Sequence, residues 1–195
     1  MSTRTLIGIF LAATVGVVIF LFVSLSGHDA KAPLVVGTPT ATACTAAEVG
    51  ACLPKVDYVD TIGTAYTPAA LAGKVVVVNF WATWCAPCKH ELPDFSKVAT
   101  AYADRGVVIL GVLTDTPDPQ TLLNFMSDFE IAYPIVRATP AIATAFDYPR
   151  AITGIPTTYV YDRQGNRRKI EVGPMNEHEL RAVLDTLLAE PVAAS

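Results

Sequence analysis

Residues 75–91 constrain this chain more than any other stretch. The continuous apolar run Val75–Val78 leads through Asn79, Phe80 and Trp81 to Cys85-Ala86-Pro87-Cys88, followed by Lys89, His90 and Glu91. An unbroken β-branched run of this length suits a strand buried on both faces at the centre of a sheet. The strand runs straight into two cysteines that open a helix. The first turn of a helix has unpaired N–H groups and a partial positive charge, both of which stabilise a thiolate. Cys85 at that position is the expected attacking sulfur, and Cys88, one turn on, the resolving one. The arrangement predicts a thiol–disulfide exchange centre.

The redox compartment follows from the beginning of the chain. Leu6–Leu25 is an uncharged, almost wholly apolar run of twenty residues. As a helix it spans about 30 Å, the thickness of the hydrocarbon core of a bilayer. Arg4 precedes it, and Ser26, Gly27, His28 and Asp29 follow. That asymmetry places the short amino end in the cytoplasm and the rest outside. A cleaved signal peptide is the competing reading, although its apolar region is shorter, about 7–15 residues. Either reading puts the cysteines in an oxidising compartment. The segment after the anchor, about 165 residues, suffices for one domain. The net charge of −4 is mild and no long basic run marks a nucleic-acid surface.

Residues 26–52 are rich in Ala, Thr, Gly and Pro with little periodicity, and read as an extracytoplasmic tether. Beyond it the pattern predicts strands at Val56–Asp60, Val75–Phe80, Val107–Val112, Tyr133–Val136, Thr157–Tyr161 and Arg167–Val172. Helices are expected over Ala86–Asp104, with Pro93 inside it as a kink, from Asp118-Pro119 to Phe129, over Ala141–Phe146, and after Asn176. Asn176 with Glu179 resembles a capping box. A central mixed sheet covered by helices fits this order.

Rival uses of Cys-x-x-Cys fit less well. Structural zinc wants two more ligands, and Cys44 and Cys52, with seven residues between them, make a poor knuckle. Covalent haem attachment wants histidine directly after the second cysteine, where this chain has Lys89. A purely structural Cys85–Cys88 bridge closes too little chain to contribute much. Trp81, at a strand end, is expected in the core. Trp84 and Pro87 flank the attacking sulfur and are expected on the face that meets a partner. Glu91 lies three residues beyond Cys88, so it either sits beneath the pair as a proton acceptor or is a solvated helix carboxylate.

The run from Lys74 to Glu91, together with Gly154-Ile155-Pro156-Thr157-Thr158-Tyr159 and the following Asp162, Gln164 and Gly165, resembles the membrane-anchored TlpA, ResA and CcmG type of thiol–disulfide oxidoreductase. The resemblance covers about residues 53–190. It implies an α/β thioredoxin-like fold with a central mixed β-sheet flanked by helices, preceded by one N-terminal transmembrane helix. The implied organisation is 1–5 cytoplasmic end, 6–25 anchor, 26–52 tether, 53–190 thioredoxin-like domain and 191–195 tail. In that family the proline matching Pro156 is cis and faces the cysteines, and the residue before it, here Ile155, offers backbone groups to the substrate. Cytoplasmic thioredoxins have a buried aspartate where this chain has Asn79, and a glutamate at the Glu91 position is a candidate for part of that job. The resemblance implies no cofactor or metal. Its implied partners are a disulfide-bearing client, such as an apocytochrome c or a copper-site protein, and a transmembrane thiol electron donor. The implied site faces the periplasm or cell exterior.

Cys44 and Cys52 stand outside the core motif. Their even number, compartment and short separation favour a structural disulfide, with a second redox pair or two separate thiols as alternatives. Three other functions compete with a protein-disulfide reductant: a disulfide-forming oxidant, a peroxide reductase, and a non-enzymatic metallochaperone or assembly factor. The peroxidase pattern wants threonine where Ala82 stands. Related copper chaperones have three residues between the cysteines rather than two.

Overall fold

The computed structural model describes residues 44, 48 and 50–191. The Leu6–Leu25 run, the 1–5 end, most of the 26–52 stretch and residues 192–195 lie outside them. Among the described residues no helix is long and apolar enough to cross a membrane.

A small antiparallel pair, β1 (Tyr58–Val59) and β2 (Ala65–Tyr66), leads through the short helix α1 (Pro68–Leu71) to β3 (Val75–Trp81). Then come α2 (Ala86–Tyr102), a 3-10 turn (Ala103–Arg105), β4 (Val107–Leu113), α3 (Pro119–Asp128), β5 (Ile135–Arg137), α4 (Pro140–Ala145), β6 (Thr157–Tyr161), β7 (Arg167–Val172) and α5 (Glu177–Ala189). The main sheet has the order β5-β4-β3-β6-β7. β3, β4 and β5 run parallel, while β6 and β7 are antiparallel to their neighbours. This is a thioredoxin-like α/β fold with a central mixed sheet flanked by helices.

All seven residues of β3 are buried, as a central strand requires. Its residues alternate between two cores. Val75, Val77 and Trp81 face a core that contains Leu92, Phe95 and Val98 of α2, Leu122 of α3, and Leu180, Leu184 and Leu187 of α5. Val76, Val78 and Phe80 face Leu71, Ile142, Phe146 and Tyr159 on the other side. The helices begin where their sequences dictate. Asp118 caps α3, its carboxylate accepting from the N–H groups of Gln120 and Thr121 with Pro119 next in line. Asn176 and Glu179 form the reciprocal capping box of α5. α2 continues through Pro93 to Tyr102.

Two predicted strands are displaced or short. Val56–Asp60 reduces to Tyr58–Val59, and Tyr133–Val136 moves to Ile135–Arg137, with the Tyr133 side chain buried in the core. The end of the 26–52 stretch is bound to the β6–β7 hairpin. Leu53 N–H donates to Gly165, Arg167 N–H donates to Ala51, and the Tyr161 hydroxyl donates to the Gly50 carbonyl. Cys44 and Cys52 are joined as a disulfide within this segment.

Candidate active site

The carboxyl end of β3 delivers the chain to the site. The Thr114 N–H and hydroxyl both donate to the Trp81 carbonyl, and the Thr83 N–H and hydroxyl both donate to the Asp115 carboxylate. These bonds tie the turn before the cysteines to the end of β4, a brace that nothing in the sequence pattern signalled. Cys85 is the N-cap of α2 and Pro87 lies in its first turn, where a missing N–H costs nothing. Cys85 and Cys88 are joined as a disulfide, and the Cys85 sulfur accepts the Cys88 backbone N–H at 3.2 Å.

Cys85 is 3% exposed and Cys88 fully buried, so the outer face of the bridge belongs to Cys85. Around it Trp84 is 70% exposed and Pro87 is exposed, whereas Trp81 is fully buried and stacks on Phe125. The Ile155–Pro156 peptide bond is cis. The Ile155 carbonyl oxygen lies 3.7 Å from the Cys85 sulfur, and Pro156 is buried. The structure thus sets Ile155 beside Cys85, whose near neighbours in sequence, Trp84 and Pro87, are exposed. Cys44 and Cys52 belong instead to the segment bound at the β6–β7 hairpin.

Further along α2 lies a buried polar group. Glu91 follows Cys88 by one helical turn on the stripe that includes Leu92, Phe95 and Val98, and is only 2% exposed. The reading of Glu91 as a solvated helix carboxylate is therefore overturned. Its Oε1 accepts from Asn79 Nδ2 at 2.8 Å, and its Oε2 accepts from the Met175 N–H at 3.0 Å. Burial pushes its carboxyl up to about 7, although the bonds from Met175 and Asn79 pull the other way. Asn79 Nδ2 also donates to Thr158 Oγ1 at 3.0 Å. Asn79 pairs in register with Gly111 on one side and Thr158 on the other, so the sheet itself assembles this cluster. Sequence reasoning missed the partnership of Asn79, Thr158 and Met175. The Thr158 signal lay in its own motif, two residues after Pro156, whereas the Met175 N–H carries no residue-type signal.

The arrangement suits two-electron exchange between sulfurs, with a carboxyl nearby whose proton affinity lies near neutrality. Among the described residues, no group of three or more His, Cys, Asp or Glu side chains is placed to hold a metal ion.

The sequence profile of the AhpC/TSA family matches residues 49–170. Thiol-disulfide oxidoreductase ResA of Geobacillus thermodenitrificans is 30% identical over 144 residues, covering 73% of this chain and 80% of that protein. Thioredoxin-like protein YneN of Bacillus subtilis is 32% identical over 114 residues, covering 58% of this chain and 65% of YneN. Among solved structures, a thiol:disulfide interchange protein of the thioredoxin family from Chlorobium tepidum superposes with a TM-score of 0.65 at 35% identity, covering 74% of this chain and all of that one. With a cysteine pair at the head of α2 in this fold, the chain belongs to the AhpC/TSA family and is a thioredoxin-superfamily thiol–disulfide oxidoreductase related to ResA.

Proposed function

We propose that the protein is a membrane-anchored, extracytoplasmic reductant of protein disulfides. The observation that carries this reading is the Cys85 sulfur at the head of α2, 3.7 Å from the Ile155 carbonyl and beside the exposed Trp84 indole. A client strand laid along Ile155 finds main-chain hydrogen-bonding groups there and an aromatic surface next to the reactive sulfur. Supporting the anchor is the uncharged Leu6–Leu25 run behind Arg4.

In this reading the reduced Cys85 thiolate attacks one sulfur of the client disulfide. A Cys85–client bond forms, and the other client sulfur leaves as a thiolate. Cys88 then gives its proton to Glu91 and attacks Cys85, forming the Cys85–Cys88 bridge and releasing the second client thiolate. Two electrons pass from the protein to the client, and the two thiolates take up protons from water. A transmembrane thiol donor returns the protein to its dithiol form. The resemblance to the TlpA, ResA and CcmG type suggests apocytochrome c or copper-site proteins as clients, in cytochrome c biogenesis or copper-site assembly.

The test is capture in cells by the full chain carrying Cys88→Ser, which allows attack and blocks resolution. Exported, cysteine-paired clients disulfide-linked to Cys85 in the membrane fraction are the expected result. Clients linked through Cys44 or Cys52, or a chain recovered soluble and starting near residue 30, would contradict the site or the anchor respectively.

A further inference from the structure

A buried carboxyl that gains and loses a proton needs different partners in its two states. The carboxylate wants donors on both oxygens, while the acid has an O–H that wants an acceptor. In the structure both Glu91 oxygens face donors, Asn79 Nδ2 on Oε1 and the Met175 N–H on Oε2. Those two partners suit the ionised form and give an acid O–H no acceptor. The Met175 N–H is fixed backbone, so a proton on Oε2 would meet a donor. A proton on Oε1 would meet the Asn79 side chain, which ends in one donor atom and one acceptor atom of nearly the same size.

The surroundings of that amide are uneven in a telling way. Asn79 is fully buried and both partners of its Nδ2, Glu91 and Thr158, can change from accepting to donating. Glu91 does so by taking a proton and Thr158 by turning its hydroxyl. Asn79 Oδ1, on the opposite side, has no hydrogen-bond partner among the described residues. Half a turn about Cβ–Cγ exchanges the two atoms. It breaks no bond on the Oδ1 side, turns the NH2 group toward that side, and places an acceptor between an acid and a hydroxyl that can both donate to it.

We infer that Asn79 is a two-state positioning residue, donating to the Glu91 carboxylate and, with its amide turned over, accepting from the Glu91 carboxylic acid. The inference rests on Glu91 taking the proton of Cys88, as in the proposed function. Its consequence is that the carboxyl keeps its place beside Asn79 in both protonation states. An aspartate in place of Asn79 would accept only and would add a second negative charge beside the ionised form. Cys88 lies one turn earlier on α2, and Tyr133, just ahead of β5, is close enough to feel the Glu91 charge. The Tyr133 hydroxyl is held far above its usual range by burial and then by Glu91, so it stays neutral while Glu91 titrates.

The experiment is a pH series by NMR on the oxidised full-length chain in lipid nanodiscs, with 15N-asparagine and 13C-glutamate. The chain has four asparagines, so loss of one side-chain signal in Asn79→Ser assigns Asn79, and Glu91→Gln assigns the Glu91 carboxyl carbon. As the pH falls from 9 to 5, the Asn79 Nδ2 protons should move upfield, losing the shift of a bond to a carboxylate. The change should share its midpoint with the Glu91 carbon and vanish in Glu91→Gln. A Glu91 carbon that titrates while the Asn79 protons stay put would overturn the two-state role and leave Glu91 as acceptor. A Glu91 carbon that does not titrate in this range would overturn both.

Discussion

The Cys85 sulfur accepts the backbone N–H of Cys88 at 3.2 Å, so the outer cysteine caps the helix that holds the inner one. A thiolate at Cys85 keeps that bond and gains charge assistance from the helix terminus, whereas Cys88 already lies inside the helix and is fully buried. Alkylation of the reduced protein across a pH series should label Cys85 ahead of Cys88 throughout. Faster labelling of Cys88 at any pH in the series would contradict the order of the two sulfurs.

Glu91 makes stability fall as pH rises. The unfolded side chain ionises near its ordinary 4.5, and the buried one at about 7. Between those values the folded protein holds a proton that the unfolded chain has shed, so stability is full below 4.5 and is lost progressively up to about pH 7. The loss amounts to about 3 kcal/mol. Denaturant unfolding of the oxidised protein should show that decline against Glu91→Gln measured over the same pH range, since the amide does not titrate. Parallel pH profiles for the two proteins would argue against a raised carboxyl. In single turnover, Glu91→Gln should also slow the resolving step, leaving the attack by Cys85 unchanged.

Much of this was legible in the sequence, and the reasons differ by element. The Val75–Trp81 strand is written in an unbroken apolar run, and α5 in a capping box followed by Leu180, Leu184 and Leu187. Both signals are local. The burial of Glu91 was ambiguous because a glutamate after Cys88 satisfies a helix surface equally well, and only the sheet beneath decides between the two. The same holds for Thr158 and Met175, which reach Asn79 and Glu91 respectively from distant parts of the chain. The attachment of residues 50–53 to the β6–β7 hairpin escaped pattern reading because backbone groups and one tyrosine hydroxyl make it.

Gly111 is the close approach that lets this core form. It pairs with Asn79, and a Cβ there would come within 2.9 Å of Tyr133 Cε2 and 3.0 Å of Trp81 Nε1, both on buried rings. Ile135 Cδ1, at 2.8 Å, is the more yielding neighbour. Gly111→Ala should therefore destabilise the fold by about 1–3 kcal/mol through overpacking. Chemical denaturation checks this. Unchanged stability would mean that the rings shift at no cost.

The Cys44–Cys52 bridge closes a short loop in the segment held against the β6–β7 hairpin. Loop-closure entropy for a ring of this size is worth about 2–3 kcal/mol in the chain-entropy view. The double variant Cys44→Ser/Cys52→Ser should lower the melting temperature and leave the rate of disulfide exchange at Cys85 unaltered. A loss of exchange activity with the fold intact would assign this pair a redox role instead.

The most direct test of Cys85 as attacking sulfur and Cys88 as resolving sulfur is peptide mapping of the mixed disulfides formed with a model peptide disulfide. Reduced Cys88→Ser should accumulate a stable adduct whose peptide is bonded to Cys85, and reduced Cys85→Ser should accumulate almost none over the same interval. Adduct formed at Cys88 in the Cys85→Ser protein at a comparable rate would contradict the assignment.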